Sequence, residues 1–307
     1  MTDHPSVAGI PLVLGGNVFG WTANEDTSFA ILDAFYEAGG RMIDTAECYS
    51  FWVPGHSGGE SETVIGKWLE SRGVRAAMRI ATKTNVMEEA GGLAPARLEK
   101  HLDQSLERLR TDYIDLFYAH RDDAETPQDE VAAGFEALRK AGKLREAGAS
   151  NFTFARLAAA IAAAKAVGAA PYGALQNEYN LVQRDQFGPE MKALCAAEGV
   201  AFLPYYGLAS GYLTGKYRTK EDFERYPRGR DLARYADNGA KVLPVLDAIA
   251  AKTGAAHAEI AVAWLLAQPG LTAPIASVSR VDQLAPLLRA VSLTLEPEDL
   301  AALNAAG

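Results

Sequence analysis

Cysteine is nearly absent from this sequence: Cys48 and Cys195 are the only two among 307 residues. Two thiols cannot build a disulfide framework, and such sparse use fits a reducing compartment. No apolar run reaches the roughly 18 residues that a membrane span requires. The opening MTDHPSVAGIPLVLGG has an early Asp and no basic segment leading into an apolar one, so no secretory signal is expected. Positive charge is in deficit, with 30 Lys and Arg against 39 Asp and Glu and a net charge of −9. Such a surface repels nucleic acid and anionic lipid, so neither is an expected partner. An anionic ligand would need a locally basic pocket. No Pro/Ser/Gly-rich linker or low-complexity run divides the chain. His56 stands without the Cys or paired carboxylates that a metal site needs, so no metal is expected. These absences leave a cytoplasmic protein with one domain over residues 1–307, and a monomer or small homo-oligomer.

What is present is an alternation. The apolar runs PLVLGG, RMIDTA, MRIATKT, YIDLFYAH, LREAGAS, GALQNEY, VAFLPYYG and LTAPIAS read as strands. Helical stretches follow them at Thr27–Ala38, Glu60–Glu70, Pro95–Leu109, Pro127–Ala141, Phe154–Val167, Pro189–Glu198, Asn238–Lys252 and Val281–Ala290. Short runs apolar on both faces imply parallel strands covered by helices. Eight repeats predict a closed (β/α)8 TIM barrel, a fold that takes about 250 residues. An open doubly wound sheet is the runner-up. It would carry a G-x-G-x-x-G turn after its first strand, and LGGNVFG does not fit that spacing. Three segments interrupt the alternation: Tyr49–Gly59, a loop over Gly207–Asp237 and an extra apolar helix at Ala258–Ala267. Long loops in a barrel belong at its C-terminal face and are usually functional.

The chemistry of a barrel sits at the C-terminal strand ends. There the sequence places Asp44, Lys83, His120, Ser150 with Asn151, and Gln176 with Asn177, while Tyr49 follows Asp44 by five residues. Singly, each has an ordinary role open to it: a turn cap, a solvated lysine, a satisfied histidine, a packing tyrosine. Together they put an acid, a base, an imidazole and a phenol on one rim. The segments IDTAECY, IATKTN, YIDLFYAH, GASNF, LQNEYN and GLASGYLTGKY occur in order along the chain and resemble the aldo-keto reductase family. That resemblance implies NADP-dependent reduction of a small-molecule aldehyde, ketone or keto-sugar to an alcohol, with Asp44, Tyr49, Lys83 and His120 as the catalytic four. Tyr49 would give the proton, Lys83 would favour its phenolate by roughly one to three pKa units, and Asp44 would hold Lys83 charged. His120 would orient the carbonyl oxygen. Two other readings stay open: a cofactor-binding subunit like those of potassium channels, against which His120 argues, and a Schiff-base aldolase using Lys83.

The same resemblance implies the cofactor residues. Ser150, Asn151 and Gln176 would meet the nicotinamide carboxamide, and Tyr205 would stack on the ring. Tyr206, Gly207, Leu208, Ser210 and Lys216 would line the pyrophosphate, with Tyr206 and Gly207 in place of the family's usual Ser and Pro. Ser277, Ser279, Arg280 and Gln283 would take the adenosine end, where Arg280 could reach a 2′-phosphate. Pro286 and Leu287 replace the usual Glu-Asn pair there. Gly16 and Asn17 of the first turn complete the set. Trp21, Phe51 and Trp52 would form an aromatic substrate lip, which suits apolar or ring-bearing carbonyls.

Overall fold

Strands buried on both faces need a wall of helices, and the observed chain supplies one. The computed structural model describes residue 7 and residues 9–86, 92–225 and 232–307. Eight strands form: β1 Val13–Gly15, β2 Met42–Asp44, β3 Arg79–Thr84, β4 Ile114–Ala119, β5 Leu144–Ser150, β6 Ala174–Gln176, β7 Ala201–Phe202 and β8 Ile275–Ala276. They pair in parallel in the order β7-β6-β5-β4-β3-β2-β1-β8. A parallel bridge between Phe202 and Leu271 closes the ring, and the Ile275 amide donates to the Pro204 carbonyl at 2.9 Å. The fold is the (β/α)8 barrel that the strand count predicts.

Side chains alternate along each strand. Val13, Met42, Ala81, Leu116, Ala174, Ala201 and Ile275 fill the barrel interior. Their neighbours Leu14, Ile43, Ile80, Phe117, Leu175 and Phe202 face the helices. Two residues further up the inward rows stand Asp44, Lys83 and Tyr118. Tyr118 lies in register with Gly148. A Cβ at position 148 would come within 2.5 Å of the Tyr118 ring, so glycine makes room for it.

The helices are α1 Glu25–Glu37, α2 Glu60–Arg72, α3 Pro95–Leu109, α4 Gln128–Lys140, α5 Phe154–Ala166, α6 Pro189–Glu198, α7 Lys220–Arg225, α8 Ala236–Thr253, α9 His257–Leu266, α10 Leu284–Ala290 and α11 Pro297–Ala306. Several bounds differ from expectation. Helix α1 begins earlier, because the Asn24 side chain accepts from the Thr27 amide at 2.9 Å and caps it. Pro127 precedes α4 instead of opening its first turn. The segment expected as one loop over 207–237 carries a 3-10 turn at Ala209–Thr214 and helix α7, while its residues 226–231 lie outside the described set. Helix α11 was not expected. It buries Leu303 and is tied to α8 and α9 by Lys252 with Glu298 and by Trp264 with Asn304.

Candidate active site

The sheet register brings the expected polar residues together. Asp44 ends β2, Lys83 lies on β3 and His120 directly follows β4. Lys83 is fully buried. Its ammonium has three N–H donors, and each finds an acceptor: Asp44 Oδ1 at 2.5 Å, the Thr45 carbonyl at 2.7 Å and the Tyr49 hydroxyl at 2.9 Å. Gln176 Nε2 donates to the other Asp44 oxygen at 2.8 Å. An amine poised to attack a carbonyl would need a free lone pair, and this geometry offers an ammonium satisfied on every side.

One electrostatic expectation is corrected. Burial and the nearby Asp44 carboxylate hold the Tyr49 phenol well above its usual value near 10. Burial and the negative neighbours outweigh the pull of the Lys83 ammonium on a phenolate. His120 is held well below its usual 6.5 by burial and by the charges of Lys83 and Arg121, so its imidazole is neutral near pH 7. The rings of Tyr49 and His120 meet edge to face with centroids 6.1 Å apart. Cys48, to which the sequence pattern assigns no role, places Sγ 3.6 Å from His120 Nδ1. Burial pushes that thiol up to about 12, so it keeps its proton.

The residues expected around a nicotinamide form a hydrogen-bonded belt. Ser150 Oγ donates to the Gln176 carbonyl at 2.7 Å, Asn151 Nδ2 to the His120 carbonyl at 2.8 Å, and the Tyr205 hydroxyl to Asn151 Oδ1 at 2.7 Å. With its nitrogen on Asp44, Gln176 braces the carboxylate. Left-handed backbone concentrates on this face: Ser50, Asn85, Asn151, Tyr206, Ala209 and Ser210 all have positive φ. Such conformations cluster at ligand sites, where surrounding structure holds them. Gly207, Leu208 and Ser210 lie in the tightest stretch, with φ of 49°, 54° and 93° at Ala209, Ser210 and Gly211. Lys216 is exposed beside it, with Nζ 5.2 Å from the Tyr217 ring centroid.

At the far end, Ser277 Oγ meets Asn17 Oδ1 at 2.5 Å, and the Gly16 amide donates to the Asp44 carbonyl at 2.7 Å. Gln283 Oε1 accepts from the Ser279 amide at 2.9 Å. Arg280 pairs with Asp282 through two bonds of 3.0 Å, an arrangement its sequence position did not suggest. Trp21, Phe51 and Trp52 come together as expected. Trp52 packs edge to face with Trp21 at 5.4 Å, Phe51 at 5.6 Å and Tyr49 at 6.2 Å. The structure thus brings Asp44, Tyr49, Lys83 and His120 into one mouth, with the aromatic cluster on one side and the belt on the other.

A barrel with a buried lysine and carboxylate and a half-buried phenol at its C-terminal mouth defines a class, the barrel oxidoreductases that reduce carbonyls. The aldo/keto reductase family model matches residues 11–307, and the chain belongs to that family. Oxidoreductase YrpG of Bacillus subtilis is 33% identical over 305 residues, covering 95% of this chain and 90% of that protein. Aldo-keto reductase str7 of Strobilurus tenacellus is 33% identical over 96% of this chain and 85% of its own length. Aryl-alcohol dehydrogenase (NADP+) of Phanerodontia chrysosporium is 31% identical over 92% of this chain and 76% of its own length. Among the described residues no helix is long and apolar enough to cross a membrane.

Proposed function

We propose that this chain reduces ring-bearing aldehydes or ketones to alcohols with NADPH, and that Tyr49 gives the proton. The carrying observation is the Lys83 ammonium donating to the Tyr49 oxygen at 2.9 Å. Because that oxygen accepts from Lys83, the phenol's own hydrogen is left to donate to a carbonyl oxygen. A bound nicotinamide dinucleotide supplies the hydride. As the proton leaves Tyr49, the adjacent Lys83 charge stabilises the forming phenolate without reorganising. Asp44 and Gln176 keep that charge in place. The raised phenol keeps Tyr49 protonated until transfer begins. The neutral His120 orients the carbonyl oxygen. An imidazole nitrogen accepts a hydrogen bond better than a thiol sulfur does, so Cys48 donates to Nδ1 and the ring hydrogen sits on Nε2, available to substrate.

The donor set fits the cofactor. Ser150 and Asn151 offer amide and hydroxyl groups to a carboxamide, and the partly exposed Tyr205 offers a ring face. The tight turn at Tyr206–Gly211 and Lys216 suit a pyrophosphate. Ser277, Ser279 and Arg280, with Gly16, Asn17 and Gln283, suit an adenosine phosphate. Phe51, Trp52 and Tyr206 are 45%, 43% and 44% exposed, an apolar lip that favours an aromatic substrate. The named activity of the aryl-alcohol relative agrees with that choice.

The test is NADPH consumption with 4-nitrobenzaldehyde by the parent protein and by Tyr49→Phe. The variant should fold and bind NADPH, and its kcat should fall by about 10²–10⁴ through loss of the acid. A parent protein that consumes no NADPH with aryl aldehydes ends the enzymatic reading. A Phe variant near the parental kcat ends the proton assignment.

A further inference from the structure

Five glutamates are buried among the described residues: Glu47, Glu62, Glu136, Glu178 and Glu259. Four of them form an ion pair with an arginine: Glu62 with Arg108, Glu136 with Arg139, Glu178 with Arg234 and Glu259 with Arg289. Glu47 does not. Its carboxylate Oε1 accepts from Thr84 Oγ1 at 2.7 Å and from the Asn85 amide at 3.0 Å. Its Oε2 lies 3.4 Å from His101 Nδ1, which itself sits 2.6 Å from Thr84 Oγ1. The Glu47 amide donates to the Lys83 carbonyl at 3.1 Å.

These bonds join three loops. Glu47 belongs to the turn after β2, two residues before Tyr49. Thr84 and Asn85 end β3, next to Lys83. The Thr84 carbonyl accepts from the His120 amide at 2.8 Å, and Asn85 Nδ2 donates to the Arg121 carbonyl at 3.1 Å. Asn85 is held left-handed, with φ of 77°. The carboxylate therefore ties the Tyr49 turn to the end of β3, and the Thr84 carbonyl and the Asn85 side chain carry that tie on to the segment of His120. It does so from behind the site, because Thr84 points to the helix side of β3 while the Lys83 side chain points inward.

We propose that Glu47 is a positioning residue for the reduction, setting the Tyr49 loop in register with Lys83 and His120. The proposal rests on the reading of Tyr49 and Lys83 given above. Placement errors of about 1 Å remote from the chemistry can cost on the order of a hundredfold in rate. The clamp is also sensitive to pH. Burial, with Glu62 adding to it and the hydrogen bonds from Thr84 and Asn85 opposing it, pushes the Glu47 carboxyl up to about 7. The charged and titratable groups facing it are Glu62 from α2 and His101 and Arg108 from α3. As the pH falls through about 7, Glu47 gains a proton and changes from an acceptor of every bond to a donor of one.

The experiment is steady-state kinetics with NADPH and 4-nitrobenzaldehyde across pH, on the parent, Glu47→Gln and Thr84→Val. The parent should show an inflection in kcat near pH 7. Glu47→Gln should lose about tenfold or more in kcat, with KM and NADPH affinity within about threefold, and should lose that inflection. Thr84→Val removes the central hydroxyl without touching a charge, and it should lower kcat similarly even where Glu47→Gln fails to fold. Parental kcat and an unchanged pH profile in a folded Glu47→Gln would overturn the clamp while leaving Tyr49 and Lys83 in place. If the parent itself does not turn over, the earlier reading fails. The clamp is then judged by nitrogen resonances of labelled histidines, where an undisturbed His120 in both variants overturns it.

Discussion

Arg280 shows how one neighbour changes what a residue offers. It is the cation expected to meet a 2′-phosphate, yet Asp282 already holds its guanidinium by two bonds. Both side chains are more than half exposed, so solvent screens the pair and it holds the guanidinium only loosely. A phosphate can displace such a carboxylate, but Asp282 stays close enough to repel it. Asp282→Asn should therefore tighten NADPH by up to about fivefold and leave NADH nearly unchanged. Arg280→Ala should weaken NADPH alone. Cofactor fluorescence titrations decide, and equal shifts for both cofactors would place this pair outside the phosphate site. The sequence made Arg280 visible and hid its partner, because a contact two residues away depends on rotamers. Cys48 and Glu47 were hidden differently. They stand inside IDTAECY between two conspicuous residues, and their roles arise only when β3 and β4 fold against that turn.

Among the elements, the strands were the most legible, because burial on both faces leaves a dense apolar run in the chain. Their polar ends were legible for the same reason: Asp44, Lys83 and His120 each end such a run. Helix starts were less so. Asn24 caps α1 through its side chain, but nothing apolar marks the first turn it opens. Helix α11 carries good signals in Pro297, Glu298 and Asp299, yet it lies past the eighth repeat, where the barrel pattern has ended. Inside β5, Gly148 makes a sharp prediction. Gly148→Ala drives a methyl group into the Tyr118 ring and should cost about 1–3 kcal/mol by overpacking. Adding Tyr118→Leu should recover part of the loss. Urea midpoints measure both, and a Gly148→Ala protein as stable as the parent would show that the ring has room to move.

For the whole molecule, the ring is uneven. The ladders joining β3, β4 and β5 are the longest, while β7 and β8 have two residues each and meet through a single bridge and short flanking bonds. Opening should begin at that seam, since regions with few backbone bonds exchange first. Native-state hydrogen exchange should find the amides of Ile80–Thr84 and Leu116–Ala119 slowest, and those of Phe202 and Ile275 faster. Equal protection around the ring would mean that the barrel opens as one unit. Strand β3 carries a different consequence. Its consecutive residues Thr82, Lys83 and Thr84 serve opposite sides of the wall, the outer two bonded to Glu62 and Glu47 and the middle one to Asp44. A single-residue insertion or deletion before Thr82 would exchange the two sides, sending the lysine into the helical layer and two hydroxyls into the mouth. Evolution can rebuild the loops above this barrel freely, but along β3 it can change length only in steps of two.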